Sequence, residues 1–345
     1  MTQWQEFLQS RGASVVDGRI HDFGAPAKEL AATRHDHVMA DLSHLGLLQV
    51  DGEDAVTFLQ GQLTNDINLL NGSTSHYAGY CTAKGRLLAL FLVFAHEGHI
   101  HLQLNGSLLE PILKRLKMYV LRSKVVIQDV STNIVRIGVA GSNSEAILGA
   151  MFEFVPKEIH GISTQENATL IRLPGTLPRF EIFTAQDNAQ ELWQELEQHF
   201  DPVGQTGWDW LEIEAGIPEI YPATQEAFVP QMVNLDALGG INFKKGCYTG
   251  QEIVARTHYL GKVKRRSLIG SLPAADQIPA PGDEVFVGEG EAAVGQVVRS
   301  SGIAGTEGRV LVELRQEASE GKTVSWHQQP ITWLPMPYPF PPDRK

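Results

Sequence analysis

The first third of the chain alternates between short apolar segments with strand spacing and longer segments with helical spacing. Residues 88–94 and 100–104 are predicted as two strands joined by a turn at Glu97-Gly98, and the second alternates apolar and polar positions. Residues 47–50 form another strand candidate, and residues 108–121 repeat apolar side chains at helical spacing. This pattern predicts antiparallel strands combined with helices.

A second set of the same kind begins at Ile134. Its predicted elements are a strand at 135–140, a helix at 144–151, strands at 169–173 and 180–183, and a helix at 190–200. Two similar sets of strands followed by helices indicate two α+β units with antiparallel sheets.

Helical periodicity disappears after Arg266. Short strand candidates separated by turns rich in glycine and proline follow at 267–270, 284–287, 293–299, 310–314, 323–326 and 331–334. This spacing is typical of a small all-β barrel. We therefore predict an α+β protein of three domains: an N-terminal α+β region over residues 1–133, a central α+β region over 134–266, and a C-terminal β-barrel over 267–345.

Composition and charge narrow the function classes. The net charge of −12 excludes a broad basic surface for nucleic acid. The local cluster of Lys262, Lys264, Arg265 and Arg266 leaves two interpretations open, a solvated surface or a contact for an anionic ligand tail or an RNA phosphate. The longest apolar run, at 87–95, is too short to cross a bilayer, so no membrane contact is expected. Two distant cysteines and no visible secretory signal predict a cytoplasmic protein.

The strongest chemical signal is the segment Lys-Lys-Gly-Cys-Tyr-Thr-Gly-Gln-Glu at residues 244–252. Thr249 and Glu252 have the spacing of a capping box, which predicts a helix start just after Cys247. Unpaired N–H groups at a helix start, together with Lys244 and Lys245, favour a thiolate at Cys247. The alternative interpretation is a buried, inert cysteine in a tight turn.

This segment, with other blocks, resembles a known family. The stretch 243–256 is similar to the signature of the YgfZ-type folate-binding proteins, which are relatives of the glycine-cleavage T-protein, an aminomethyltransferase. Residues 41–46, 50–55, 58–66 and 83–87 resemble the N-terminal blocks that both families share, and residues 208–218 resemble their central block.

The resemblance implies a cloverleaf-like arrangement of three domains around a central site for tetrahydrofolate or a derivative. It assigns Glu214, in the Ile-Glu-Ala-Gly block, to the donor edge of the pterin, and Trp208 to the face of the ring. Leu45 occupies the family's other folate-contacting tryptophan position, so one wall would be aliphatic. Without the resemblance, a surface glutamate and a core tryptophan are the simpler interpretations.

The resemblance also implies a role in supporting iron–sulfur enzymes or their assembly proteins, including enzymes that modify tRNA, with a possible transient tRNA contact. Cys247 would be the reactive group, and Lys245 would stabilise its thiolate or a folate carboxylate. Two cysteines are too few to hold a permanent cluster, and the His35–His37 and His99–His101 pairs lack a third ligand, so no metal site is predicted.

Whether the chain is an enzyme stays open at this stage. One alternative is a folate-dependent aminomethyltransferase of the glycine-cleavage type, against which the cysteine segment argues. The other is an interaction module without catalytic activity.

Overall fold

The computed structural model describes residues 2–259, 263–288 and 292–342. The helices in these ranges are α1 (Gln3–Ser10), α2 (Pro26–His35), α3 (Ala55–Gln60), α4 (Leu109–Val120), α5 (Ser144–Met151), α6 (Gln186–Leu196), α7 (Gln205–Glu214), α8 (Gln251–Tyr259) and α9 (Gln316–Ser319). Short 3₁₀ turns cover Ile67–Leu69, Gly106–Leu108, Pro222–Thr224 and Pro230–Val233.

The strands are β1 (Ser14–Val16), β2 (Arg19–Asp22), β3 (Val38–Asp41), β4 (Gly46–Asp51), β5 (Ser75–Cys81), β6 (Leu87–His96), β7 (His99–Leu104), β8 (Val126–Asp129), β9 (Ile134–Ala140), β10 (Ile162–Gln165), β11 (Ala168–Leu173), β12 (Arg179–Ala185), β13 (Asp201–Pro202), β14 (Arg265–Leu272), β15 (Glu284–Val287), β16 (Gly295–Ser301), β17 (Gly308–Arg315), β18 (Val324–Trp326), β19 (Gln329–Pro330) and β20 (Thr332–Trp333).

The first sheet has five antiparallel strands in the order β5-β6-β7-β4-β8. Strand β6, which lies between β5 and β7, carries the long apolar run, and most of its side chains are buried on both faces. Helix α4 packs beside β4 and β8 through Ile112 and Leu116, as its helical spacing predicts. This unit confirms the strands and the helix predicted between residues 47 and 121.

The second sheet has six strands in the order β10-β11-β12-β9-β3-β13, antiparallel except for the short parallel pair of β13 with β3. Because β3 pairs with β9, this N-terminal strand joins the second sheet and not the first one, while β1 and β2 form a separate two-stranded sheet. Trp4 of α1 packs edge-to-face against Trp193 of α6, with ring centroids 5.6 Å apart. The sheets therefore do not follow the predicted division at residue 133.

The C-terminal unit is a nearly closed seven-stranded barrel in the order β19-β18-β15-β16-β17-β14-β20. Its core is made of alternating apolar side chains, among them Val297, Val310 and Val312. Helix α9 is a single turn, so the predicted all-β character of this region is confirmed.

The first and second sheets face each other along a seam where β7 meets β12. The amide of Gln103 donates to the carboxylate of Glu181 across this seam at 3.0 Å, and the rings of Phe94 and Phe183 meet with centroids 4.8 Å apart. Helix α7 closes one end of the seam, where it contacts β3 of the second sheet and β16 of the barrel. All three units therefore meet around α7.

Candidate functional site

A central cavity lies where the seam meets α7. Its lining residues are Leu42, His44, Leu45, Tyr77, Leu90, Leu92, Gln103, Leu104, Asn105, Leu173, Glu181, Trp208, Glu212, Ile217, Pro218, Glu219 and Arg299. Two residues of the sequence-based prediction, Trp208 and Leu45, are thus brought together. The lining combines an apolar wall with several carboxylates, which suits a flat polar ring.

Trp208 is held rigidly at the base of this cavity. Its indole is 3% exposed and packs on the backbone of β9, where a Cβ at Gly138 would lie 2.5 Å from the ring. The guanidinium of Arg179 lies 5.4 Å from the ring centroid on the indole face. The indole fits here because position 138 is a glycine and has no Cβ.

Buried ion pairs fix the charged side chains around Trp208. Arg179 contacts Glu212 at 3.0 Å, and Arg299 contacts Glu212 at 3.5 Å and Glu219 at 3.6 Å. Arg299 also pairs with Asp209. Burial raises the pKa of Asp209 to about 6 even though the arginine acts to lower it. Both oxygens of the Glu212 carboxylate are thus engaged by arginines, which leaves it poorly placed to receive further donors.

Polar atoms of the cavity remain unpaired among the described residues. They are Oε1 of Glu181, Oε1 of Gln103, Nδ1 of His44 and Nε of Arg299, all buried. Burial raises the pKa of Glu181 to about 7 and lowers the pKa of His44 to about 3. Buried polar atoms normally have partners, so two adjacent empty acceptors indicate a place for a ligand with hydrogen-bond donors.

The sequence reasoning missed Glu181 and Gln103. A signal was present, because each is a polar residue at an inward position of an otherwise apolar strand, within residues 179–185 and 99–104. Nothing in either strand indicates that the two side chains meet.

Glu214, the residue predicted to hold the pterin, lies outside the central cavity. Its carboxylate accepts from the Nε of Arg309 in the barrel. Trp208 and Glu212 are four residues apart on α7 and share a face, whereas Glu214 is six residues from Trp208 and faces the other way. The assignment to Glu214 stays a prediction that the geometry does not support.

Cys247 is an exposed free thiol on a turn that is anchored on both sides, whereas Cys81 is free and buried. On one side Asn242 Oδ1 accepts from the backbone N–H of Lys244 at 2.9 Å and of Lys245 at 3.1 Å. On the other side the ring of Tyr248 is buried. The exposure of Cys247 contradicts the alternative of a buried, inert cysteine.

Lys245 is turned inward, away from solvent. Its ammonium donates to the carbonyl oxygens of Gln60 at 2.8 Å, Leu63 at 2.6 Å and Asn65 at 2.7 Å. Burial lowers the pKa of this lysine to about 8. Its three donors are therefore engaged with the end of α3 and the chain that follows it, which anchors the Cys247 turn. The predicted contact with the thiolate or a folate carboxylate stays a prediction.

Several sequence blocks that carry the resemblance meet at this turn. Besides Lys245, the carbonyl of Gly61 accepts from the N–H of Thr249 at 3.3 Å. A Cβ at Gly250 would lie 2.4 Å from the carbonyl oxygen of Thr82 and 2.9 Å from Gly85, so the segment 244–252 packs directly on the turn at residues 82–86.

Helix α8 begins at Gln251, one residue later than the predicted capping box requires. Gly250 has a φ of +84°, outside the helical region, so Thr249 does not occupy the N-cap position. The helix start still follows Cys247 closely, as predicted.

The basic cluster near residue 264 is only partly visible, because Lys262 lies outside the described residues. Arg266 pairs with Asp236, and Arg265 pairs with Glu313. Carboxylates therefore already balance both arginines, and Arg266 is buried, so this residue is not part of a solvated surface. A contact with an RNA phosphate stays a prediction.

Neither a metal centre nor a membrane span is found in the described ranges. No group of three or more His, Cys, Asp or Glu side chains there is placed to hold a metal ion. No helix in these ranges is both long and apolar enough to span a bilayer.

Comparisons with known proteins agree on one family. The model of the GCVT N-terminal domain matches residues 7–243. The chain is 37% identical over 248 residues to the tRNA-modifying protein YgfZ of Yersinia pestis (strain Pestoides F), covering 72% of this chain and 74% of the relative. The chain belongs to the YgfZ family of GCVT-domain proteins.

A second relative supports this family assignment, and a solved structure shares the fold. The tRNA-modifying protein YgfZ of Sodalis glossinidius (strain morsitans) is 34% identical over 266 residues, covering 77% of this chain and 80% of the relative. The crystal structure of glycine cleavage system aminomethyltransferase T from Bartonella henselae superposes with a TM-score of 0.71, covering 96% of this chain and 95% of that chain, at 19% identity. The latter shows a shared fold alone.

Proposed function

We propose that this YgfZ-family chain binds tetrahydrofolate or a derivative in the central cavity and, through Cys247, supports iron–sulfur enzymes, including those that modify tRNA. The observation that carries the proposal is the pair of unpaired buried acceptors, on Glu181 and Gln103, beside the Trp208 ring. Family membership and the tRNA-modifying names of the relatives support it.

The donor edge of a pterin matches these acceptors chemically. It carries an exocyclic amine next to a ring N–H, and one carboxylate can accept both in a charge-assisted pair. The free oxygen of Glu181 can accept one of these donors and the adjacent free oxygen of Gln103 can accept the other, whereas both oxygens of Glu212 are engaged by arginines. We therefore place the pterin edge on Glu181 and its face on Trp208.

Entry of the ring requires a local movement. The cavity has a volume of about 80 Å³, below the roughly 300–1,000 Å³ of sites for drug-sized ligands. His44 and Leu45, on the half-buried loop between β3 and β4, are the side chains that can open it without disturbing a strand. An aliphatic Leu45 leaves more space on this side than a tryptophan would.

The folate assignment is tested by calorimetric titration of tetrahydrofolate into the wild type and the variants Glu181→Gln and Glu214→Gln. Loss of a charge-assisted pair costs about 1.5–3 kcal/mol, so Glu181→Gln is expected to weaken binding by about ten- to a hundredfold. Glu214→Gln, the matched control on the opposite face of α7, is expected to leave the affinity unchanged. A loss confined to Glu214→Gln would instead restore the sequence-based assignment.

The role of Cys247 is tested in a strain that lacks the protein. Complementation with wild type and Cys81→Ser is expected to restore iron–sulfur enzyme activities and thiolated tRNA, and Cys247→Ser is expected to fail at equal protein levels. Full rescue by Cys247→Ser would remove the thiol from the proposal. Folate-dependent aminomethyl transfer from a lipoyl carrier would identify the chain as an aminomethyltransferase.

A further inference from the structure

A second cavity lies further along the seam between the first two sheets. It has a volume of about 290 Å³ and is lined from one side by β6 and β7, and from the other by β11, β12 and the start of α6. His101 precedes Gln103 by two residues on β7, and Phe183 follows Glu181 by two residues on β12. The second cavity is thus one side-chain step from the central cavity along both strands.

His101 is the decisive residue of this cavity. Its side chain is 2% exposed, and its ring stacks on Phe94 with centroids 5.1 Å apart and an interplanar angle of 13°. Its Nδ1 has no hydrogen-bond partner in the described part of the chain. Burial, together with His96 and His99, lowers the pKa of His101 to about 4, so the imidazole is neutral at physiological pH.

The rest of the lining mixes apolar and polar residues and includes no lysine or arginine among the described residues. It offers the side-chain amides of Gln49, Asn167 and Asn188, and the carboxylates of Glu97 and Glu166. A phosphate or carboxylate would meet these acidic groups with no lysine or arginine to balance it, which disfavours anionic ligands.

A metal ion is also a poor match. The histidine rings nearest to His101 have centroids 6.1 Å and 6.4 Å away, and no group in the described ranges is placed to hold a metal. A small organic ring that is not anionic, that can lie against the aromatic side chains and that can hydrogen-bond to an imidazole nitrogen and to amides is the better match.

We propose that the second cavity binds an uncharged nitrogen heterocycle of the size of a nucleobase or nucleoside, with His101 Nδ1 as a direct hydrogen-bond partner. The volume lies at the lower end of the range for small-molecule sites, which excludes much larger ligands. Amide side chains and a neutral imidazole are suited to the donors and acceptors on the edge of such a ring. This site does not depend on the proposed folate site.

The test is calorimetric titration of the full chain with adenosine, guanosine, cytidine and uridine, and with their 5′-monophosphates. At least one nucleoside is expected to bind with a Kd of about 1 mM or tighter. Its monophosphate is expected to bind about fivefold more weakly because of the acidic lining. Absence of nucleoside binding, or equal binding of the monophosphate, would overturn the proposal.

Variants locate the bound nucleoside. His101→Phe keeps the stacking on Phe94 but removes the ring nitrogen, and is expected to weaken binding about tenfold. Ala185→Trp, at an exposed position of the lining, is expected to block the cavity without disturbing the core. His199→Phe, at an exposed histidine elsewhere, is the control and is expected to bind like wild type. Wild-type affinity in both His101→Phe and Ala185→Trp would refute the site.

Competition separates this cavity from the folate proposal. Saturating tetrahydrofolate is expected to leave the nucleoside affinity unchanged, and Glu181→Gln is expected to bind nucleoside like wild type. Displacement of the nucleoside by tetrahydrofolate would make the second cavity part of a folate site and overturn the separate assignment.

Discussion

Replacing Lys245 by methionine tests whether this lysine anchors the Cys247 turn. The substitution keeps the length and most of the apolar stem of the side chain but removes the ammonium. The carbonyl oxygens of Gln60, Leu63 and Asn65 then lose the donor that they share. These carbonyls lie about 180 residues away in sequence, so the lysine joins two distant segments.

The magnitude follows from the surroundings of these carbonyls. The contacts to Leu63 and Asn65 are buried, and the contact to Gln60 is partly buried. A buried acceptor left without a partner costs about 1–3 kcal/mol. The desolvated ammonium, whose pKa burial lowers to about 8, offsets part of this cost when it is removed. We expect Lys245→Met to lower the free energy of unfolding by about 2–4 kcal/mol.

The assay is urea denaturation of Lys245→Met and of the control Lys244→Met. Lys244 is the exposed neighbour, so its substitution is expected to change stability by no more than about 0.5 kcal/mol. The midpoint for Lys245→Met should fall at an unchanged slope. Equal midpoints for the two variants would show that the three carbonyl contacts contribute nothing, and the anchoring argument would be wrong.

Other consequences of the structure are equally open to measurement. Burial raises the pKa of Glu181 from 4.5 to about 7, so the folded protein holds a proton on this group that the unfolded chain has already lost. The stability of the folded wild type relative to Glu181→Gln should therefore fall by up to about 3 kcal/mol as the pH rises from 4.5 through 7. Denaturation of both proteins at a series of pH values measures this fall. Cys247 should be alkylated much faster than Cys81, because Cys81 is buried and its burial raises the thiol pKa to about 12. Peptide mass spectrometry on the native protein measures both rates, and equal rates would contradict this prediction. Gly250 has a φ of +84°, and a new Cβ there would lie 2.4 Å from a backbone oxygen, so Gly250→Ala should lower the free energy of unfolding by about 2 kcal/mol or more. Gly246→Ala, where the new Cβ meets nothing within 4 Å, should leave the stability nearly unchanged in the same denaturation experiments.

Local pattern was enough to predict much of the fold. The apolar run of β6, the alternation in β7 and the helical spacing of α4 each depend on which face of one element is buried, and a face is encoded by neighbours in sequence. The barrel was also predicted from local pattern, because short strands at regular spacing can bury their side chains in few other arrangements. The exposure of Cys247 was also local, since it lies in a polar segment bracketed by glycines.

Contacts between residues that are distant in sequence could not be predicted from local pattern. Helical period alone would have placed Glu212, and not Glu214, on the face of Trp208, but the arginines that engage Glu212 come from other units. The pairing of β3 with β9 likewise depends on which strand edge is free once the sheets form.

The sequence by itself determined the family, through the segment 244–252 and the blocks that accompany it, and the character of each structural unit. Only the tertiary structure decided that Gln103 meets Glu181, that this pair keeps two acceptors free beside Trp208, and that Lys245 turns inward. The physical reason is that side-chain periodicity specifies a buried face, whereas the group that the face meets is set by how whole sheets pack.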